Sequence, residues 1–273
     1  MLVRHRPAAP LDAAIECLWL SRRDEHSPDC EHMLPSGTAQ LVMTLHDSPI
    51  QWAHPKSGAS WQSWTRGVVH GPQGSYYLAG PKPKGTVVGV SFRPGMASVI
   101  LGASMQELQD SHVSLEELWG CRGIDLHERV AAASEPAAVF RWLEQELIAR
   151  IRRPLLIHPA VAYALQANPS GVQPHRVIDA QRHSGYSPRH FIELFRSAVG
   201  LAPKHYYRVQ RFSRALKLIA RGNARLADVA AASGYSDQAH LSREFRELAG
   251  VAPSAYRPRA SDSEHHHVVA VTR

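Results

Sequence analysis

The sequence predicts an α+β protein: a β-rich barrel or sandwich with trailing helices over residues 1–152, an all-α domain of two helix-turn-helix units joined by a long helix over 153–258, and a flexible tail over 259–273. Three observations predict it. Short apolar runs punctuated by Gly, Pro and Ser recur between Leu41 and Phe92. A segment near the C-terminal end repeats once: GYSPRHFIELFRSAVGLAPKHY at 185–206 returns as GYSDQAHLSREFRELAGVAPSAY at 234–256. The charge is also divided. Residues 154–260 hold fifteen Lys/Arg against six Asp/Glu, a surplus of nine, while the remainder holds sixteen against eighteen.

In the first part, Leu41-Val42-Met43, Gly67-Val68-Val69, Tyr76-Tyr77-Leu78 and Thr86-Val87-Val88-Gly89-Val90 are strand-like and bounded by turn formers. Their spacing suits a small antiparallel barrel or sandwich. After Pro94 the pattern turns helical. A last helix is expected over 136–151, with Ser134 near its cap and Val139, Trp142, Leu143 and Leu147 along one stripe. Trp19, Trp52, Trp61 and Trp64 read first as core or subunit-contact aromatics and second as pocket walls. Arg93 reads first as a holder of loop carbonyls and second as a contact for an anionic ligand.

In the second part, Gly185 and Gly234 can take the left-handed turn that ends a short helix. Ser187 can cap the helix that follows the first glycine, and Ser236 or Asp237 the helix that follows the second. Phe191, Leu194 and Phe195, then Leu241, Phe245 and Leu248, form core stripes. Between the copies, Pro203–Arg221 carries Val209, Phe212, Leu216 and Ile219 along one face. Pro203 suits the start of this connecting helix and Gly222-Asn223 its end.

The outer faces of the repeated helices are polar, and that face in a basic setting is what reading the DNA major groove needs. Arg189, His190 and Glu193 in the first copy, and Gln238, His240, Ser242 and Arg243 in the second, are the candidate base-reading residues. Ser187, Arg196, Lys204, Arg208, Ser236, Arg246 and Arg257 flank them and are the candidate phosphate contacts. Two such readers are expected about 34 Å apart, one turn of the duplex. Gln181 stands where the second copy has Ala230, and Glu193 where it has Arg243. The first reader is therefore expected to be weaker or differently specific.

The residues from about 158 to 258 resemble the DNA-binding domain of the AraC/XylS family of bacterial transcription regulators. The resemblance rests on Leu226-Ala227-Asp228-Val229-Ala230, Gly234-Tyr235-Ser236-Asp237-Gln238, Leu241-Ser242-Arg243-Glu244-Phe245-Arg246, Gly250, Pro253 and Tyr256-Arg257. Arg211-Phe212, Arg214-Ala215 and Leu218 in the connecting helix and Pro159–Ala167 also match. The first part is similar to an effector-type domain through Leu34-Pro35-Ser36-Gly37, Gly80, Gly89-Val90-Ser91-Phe92-Arg93-Pro94-Gly95, and Val113, Leu115 and Leu118-Trp119-Gly120. Ser36 replaces the usual acidic residue there. The resemblance implies a sequence-specific regulator of double-stranded DNA, with RNA polymerase, a small-molecule effector and a second copy of the chain as further partners.

Cys17, Cys30 and Cys121 are odd in number and widely spaced, which fits a reducing cytoplasm rather than a disulfide framework. No leader or membrane-spanning run is expected. A metal site at His26, Cys30 and His32, or at His265-His266-His267, is a minor reading, and no cofactor is expected. Two enzyme readings stand beside the regulator. A DNA-repair protein of the alkyl-transfer kind with an appended DNA-binding domain needs clustered cysteines, which the chain lacks. A metal-dependent enzyme needs histidines converging on one site. His46, His54 and His70 are of the right type but share no ligand spacing.

Overall fold

The computed structural model describes residues 1–25, 30–55, 60–82, 84–167, 175–222, 224–256 and 268–270. The N-terminal strands are β1 (Leu2–His5), β2 (Ile15–Arg23), β3 (Glu31–Met33), β4 (Gln40–Thr44), β5 (Ile50–Ala53), β6 (Gln62–Trp64), β7 (Gly67–His70), β8 (Tyr77–Ala79), β9 (Gly85–Phe92) and β10 (His112–Ser114). With β11 (Val268–Ala270) they form two antiparallel sheets, ordered β1-β2-β9-β4-β7-β10 and β11-β3-β8-β5-β6.

Alternation along the strands sorts the larger sheet into two faces. Leu18, Leu20, Leu41, Met43, Val69, Val88, Val90 and Phe92 point into the main core. Helices α1 (Ala97–Leu101), α2 (Leu115–Trp119), α3 (Cys121–Ala131) and α4 (Pro136–Ala149) cover that face with Ile100, Leu115, Leu126, Val139, Leu143 and Leu147. On the opposite face Trp19, Val42 and Val68 meet Ile50 and Trp64 of the smaller sheet. The domain is thus a sandwich with a helical layer on one side.

The four expected apolar runs lie in β4, β7, β8 and β9, with Tyr76 just before its strand. The change to helices after Pro94 is interrupted only by β10. The last helix starts at Pro136, but its cap is Glu135, without a side-chain bond, rather than Ser134. Arg93 is structural: its Nε donates to the Asp12 carbonyl at 2.9 Å. Trp19 and Trp52 are buried and Trp64 packs beside them, whereas Trp61 is exposed. The tail is corrected in one place, since Val268–Ala270 pairs with β3 and gains backbone hydrogen bonds there. His26, Asn223, Arg257 and His265-His266-His267 lie outside the described residues. Among the described residues no helix is long and apolar enough to cross a membrane.

The second domain comprises α5 (Pro159–Ala167), α6 (His175–Ser184), α7 (Pro188–Val199), α8 (Pro203–Ala220), α9 (Leu226–Ser233) and α10 (Gln238–Ala249). It has two cores, and α8 belongs to both. Tyr206, Tyr207 and Val209 pack with Val161, Phe191 and Phe195, while Phe212, Ala215 and Leu216 pack with Val229, Leu241 and Phe245. Gly234 ends α9 at φ 81°, and Gly185 ends α6 at φ 71°, as the repeat requires.

Gly89 shows how tightly the sandwich is packed. The Trp19 indole lies against its Cα, so a Cβ there would overlap the ring. Gly89→Val is expected to destabilise the protein by about 1–3 kcal/mol through overpacking. Gly102 has φ 74° and open space around it. Gly102→Ala therefore carries only backbone strain, about 1 kcal/mol. Urea denaturation of the two variants should rank them in that order if the indole is the constraint.

Candidate nucleic-acid interface

The two repeated helices begin in the same way. The Ser187 side chain accepts from His190 N and caps α7, and Asp237 Oδ1 accepts from His240 N at 2.6 Å and caps α10. Asp237 rather than Ser236 is the second cap, and the Ser236 hydroxyl bonds to Asp237 and to His240 Nδ1. The cap bonds hold the Asp237 carboxyl below the usual carboxylate range.

Most of the predicted base-reading side chains are open to solvent. Arg189, His190, Glu193, Gln238 and Arg243 are exposed, and His240 and Ser242 are half-buried. Arg189 pairs with Glu193 one turn away at 3.1 Å, which offsets the carboxylate that sequence comparison found out of place. Gln181 also finds a role: its Nε2 donates to the Tyr186 carbonyl and closes the first turn. The second turn is tighter, with Tyr235 buried beneath the Arg211 guanidinium at 4.6 Å, whereas Tyr186 remains exposed.

The predicted phosphate contacts divide. Lys204, Arg246, Ser187 and Ser236 are exposed, and Arg196 is half-buried. Arg208 is held by Glu244 at 3.0 Å and also by Glu247. Arg211 donates to the same Glu244 at 2.7 Å. Glu244 is a buried carboxylate on α10 gripped by two arginines of α8, so it fixes the second reader to the connecting helix.

The N-terminal domain docks directly on both units. Leu34 is buried in the core of the second unit. Gln210 Nε2 donates to the Ser36 carbonyl, and His32 Nδ1 to the Ala249 carbonyl. His205 Nε2 donates to the Gly74 carbonyl, and Met105 N to the Ser197 carbonyl. Gly200 sits against Pro72, and Gly250 against Tyr76, so one loop meets the ends of both repeated helices. Leu34-Pro35-Ser36-Gly37 is therefore a docking segment.

A second arrangement lies between the sheets. Ser91, Gln40, His70 and His112 are cross-strand neighbours in one row over β9, β4, β7 and β10. All four are buried. His70 Nδ1 and His112 Nδ1 share a hydrogen bond. Both amide atoms of Gln40, Ser91 Oγ and His112 Nε2 are buried without a hydrogen-bond partner. Trp52 lies 3.8 Å and Tyr77 4.6 Å from the His112 ring, centroid to centroid. Burial pushes His70 down to about 4 and His112 well below the ordinary range, so both rings are neutral near pH 7. Gln40, Ser91 and His112 escaped sequence reading, because only the strand register aligns them. Among the described residues no three His, Cys, Asp or Glu are placed to hold a metal ion.

Comparison with known proteins fits this geometry. Residues 180–259 match a helix-turn-helix domain, and residues 3–114 match a domain of unknown function, DUF6597. The chain is 29% identical over 168 residues to the HTH-type transcriptional regulator GlxA of Rhizobium meliloti, covering 58% of this chain and 48% of that protein. It is 32% identical over 79 residues to the HTH-type transcriptional activator AarP of Providencia stuartii, covering 29% and 58%. Residues 180–259 therefore carry a helix-turn-helix domain similar to those of these transcriptional regulators. The chain spans about half the length of these curated relatives. An unsaturated fatty acid bound structure of ToxT from Vibrio cholerae aligns over 86% of this chain and 95% of its own, at 10% identity and a TM-score of 0.48.

Two stability predictions follow from the buried polar groups. Glu244→Gln should cost about 2–3 kcal/mol by stripping two guanidinium groups of a buried charge. Glu247→Gln, at an exposed carboxylate, should cost less than about 1 kcal/mol. Thermal denaturation of the pair checks this contrast. For His70, the unfolded chain takes up a proton near pH 6.5 that the fold refuses until about pH 4. Stability is therefore complete above pH 6.5 and falls as the pH drops through that window. At about 1.4 kcal/mol per pH unit, His70 alone removes about 2 kcal/mol by pH 5. Denaturant midpoints at pH 7 and pH 5 should differ less in His70→Gln/His112→Gln than in the unaltered chain.

Proposed function

We propose that this chain regulates transcription by sequence-specific binding to double-stranded DNA, with α7 and α10 entering two successive major grooves. The observation that carries this reading is the pair of outward polar helices held by one shared helix in the basic half of the chain. The relatives' descriptions as transcriptional regulators and activators support it. In the second reader, Arg243 suits guanine N7 and O6, and Gln238 suits adenine. In the first, the Arg189–Glu193 pair presents an arginine fork already oriented by a carboxylate. Ser187, Arg196, Lys204, Ser236, Arg246 and Arg257 serve the phosphates on this reading. Arg208 acts by positioning α10 through Glu244. RNA polymerase and a second copy of the chain are the expected protein partners, and the cytoplasm is the expected setting.

The effector site of this reading is the row Ser91, Gln40, His70 and His112. Unpaired buried amide and hydroxyl groups each cost about 1–3 kcal/mol until they find a partner. A small polar molecule stacked on Trp52 would supply such partners.

The test begins with selection of duplexes from a random pool by the full chain. Affinity for the selected site should fall with salt, with a log–log slope of about −0.9 per phosphate contact. Arg243→Ala should cost about 1–3 kcal/mol at that site and relax one base position. Arg246→Ala should weaken all duplexes about equally. A folded chain that binds no duplex in a salt-dependent way overturns the reading.

A further inference from the structure

A cavity of about 560 Å³ opens between the N-terminal helices and the end of α7, far from the row between the sheets in both lining and chemistry. Arg122, Arg150, Arg152 and Arg153 line it, with Glu146 and Ser197. Glu146 is the single carboxylate of that lining, and it is already shared. It accepts from Arg150 Nε at 3.0 Å and from Arg129 Nη2 at 3.4 Å. Four arginines therefore line the cavity beside one carboxylate, which is also shared with a fifth arginine.

Arg150 is the most constrained of the four. Its guanidinium carbon lies over the Trp119 ring, 3.6 Å from the centroid. The ring contact and the Glu146 bond hold the guanidinium in place, and its Nη2 is buried with no hydrogen-bond partner. Burial works against its charge, and Arg122 and Arg152 beside it act in the same direction. The Glu146 bond uses Arg150 Nε, so the buried Nη2, with Arg122 and Arg152 close by, is left without an acceptor. Planar forks of this kind match the oxygens of phosphate and carboxylate groups.

We propose that this cavity is a binding site for a small organic anion, held through a phosphate or carboxylate cluster by Arg122, Arg150, Arg152 and Arg153. Its volume falls in the range of about 300–1,000 Å³ typical of small-molecule sites. Val99, Ala103 and Ala149 in the lining offer the rest of the molecule an apolar surface. A cavity of about 560 Å³ is too small to admit a duplex, although the exposed Arg152 and Arg153 could meet its backbone. The wall includes Ser197 in the last turn of α7, whose carbonyl accepts from Met105 N at 3.1 Å. An anion here therefore bears on the first helix-turn-helix unit from the end opposite its cap.

The experiment is calorimetric titration of the full chain with pyrophosphate and with citrate at fixed ionic strength, without DNA, so its result does not depend on the transcriptional reading. One probe should bind saturably at one equivalent per chain, and the probe that binds separates a phosphate head from a carboxylate one. Arg152→Ala/Arg153→Ala alters two exposed side chains and should keep the thermal midpoint while weakening that probe at least tenfold. Arg150→Lys keeps the charge but not the fork, and should weaken it by a similar factor. Arg243→Ala should leave it unchanged. Absence of saturable binding by either probe overturns the proposal. So does binding that is lost in Arg243→Ala and retained in Arg152→Ala/Arg153→Ala, which would place the anion on the nucleic-acid surface. Loss of duplex affinity in Arg152→Ala/Arg153→Ala, with neither probe binding the unaltered chain, would assign the arginines to DNA instead.

Discussion

The arrangement of the second domain depends on the double burial of α8. Tyr206, Tyr207 and Val209 belong to one core, and Phe212, Ala215 and Leu216 to the next, less than two turns further on. Neither unit can rotate about this helix without opening a core. The separation of α7 and α10 is therefore set by a rigid element rather than by a linker. Glu244 reinforces this at the outer end. Its two arginines both come from α8, so the second reader is fixed by charge as well as by packing. The first has no equivalent carboxylate clamp among the described residues, and its turn is closed by the Gln181 amide instead. The two helices thus differ in the side chains that tie them to their neighbours.

The repeat was legible because each unit is local. Its stripes, caps and glycines lie within about twenty residues of one another, so helical spacing alone exposes them. Parts of the sandwich were less legible. In β2, Leu18 and Leu20 face the helices while Cys17, Trp19 and Ser21 face the other sheet. A strand covered on both sides loses the alternation of polar and apolar residues that marks a half-exposed one. β3, β5, β6 and β10 are three or four residues long, too short to carry a period. The polar row was hidden for a related reason. Gln40, Ser91 and His112 are unremarkable along the chain and meet only through pairing across four strands. The docking of Leu34 beside Phe212 joins positions far apart in sequence, which no local pattern records.

The path between the two domains also differs from what chain order suggests. Helix α4 precedes the second domain in sequence, but the closest mechanical link is the loop after β7. His70 ends that strand, and the next residues reach the ends of both repeated helices through Pro72 and Tyr76. The loop is itself tied to the segment before β10. Gly71 N donates to the Ser111 carbonyl, Asp110 N to the Pro72 carbonyl, and Gly74 N to Asp110 Oδ1. His70 and His112 thus stand at the roots of two mutually bonded loops, and Met105 at the far end of the second bonds to α7 through the Ser197 carbonyl.

A molecule that inserts between Gln40, His70 and His112 would act on those roots. It need not deform the sandwich to be felt at α7 and α10. His112 adjoins the segment bonded to the loop that lies against Gly200 and Gly250, the C-terminal ends of α7 and α10. Coupling between distant sites usually amounts to about 1–3 kcal/mol, comparable to one or two hydrogen bonds made or lost at such a junction. The arginine-lined cavity reaches α7 through the Met105–Ser197 contact as well. The polar row, through Pro72, and the arginine-lined cavity, through Ser197, therefore lead to the same end of the same helix. Because Pro72 lies against Gly200 and Tyr76 against Gly250, one loop braces both units at once.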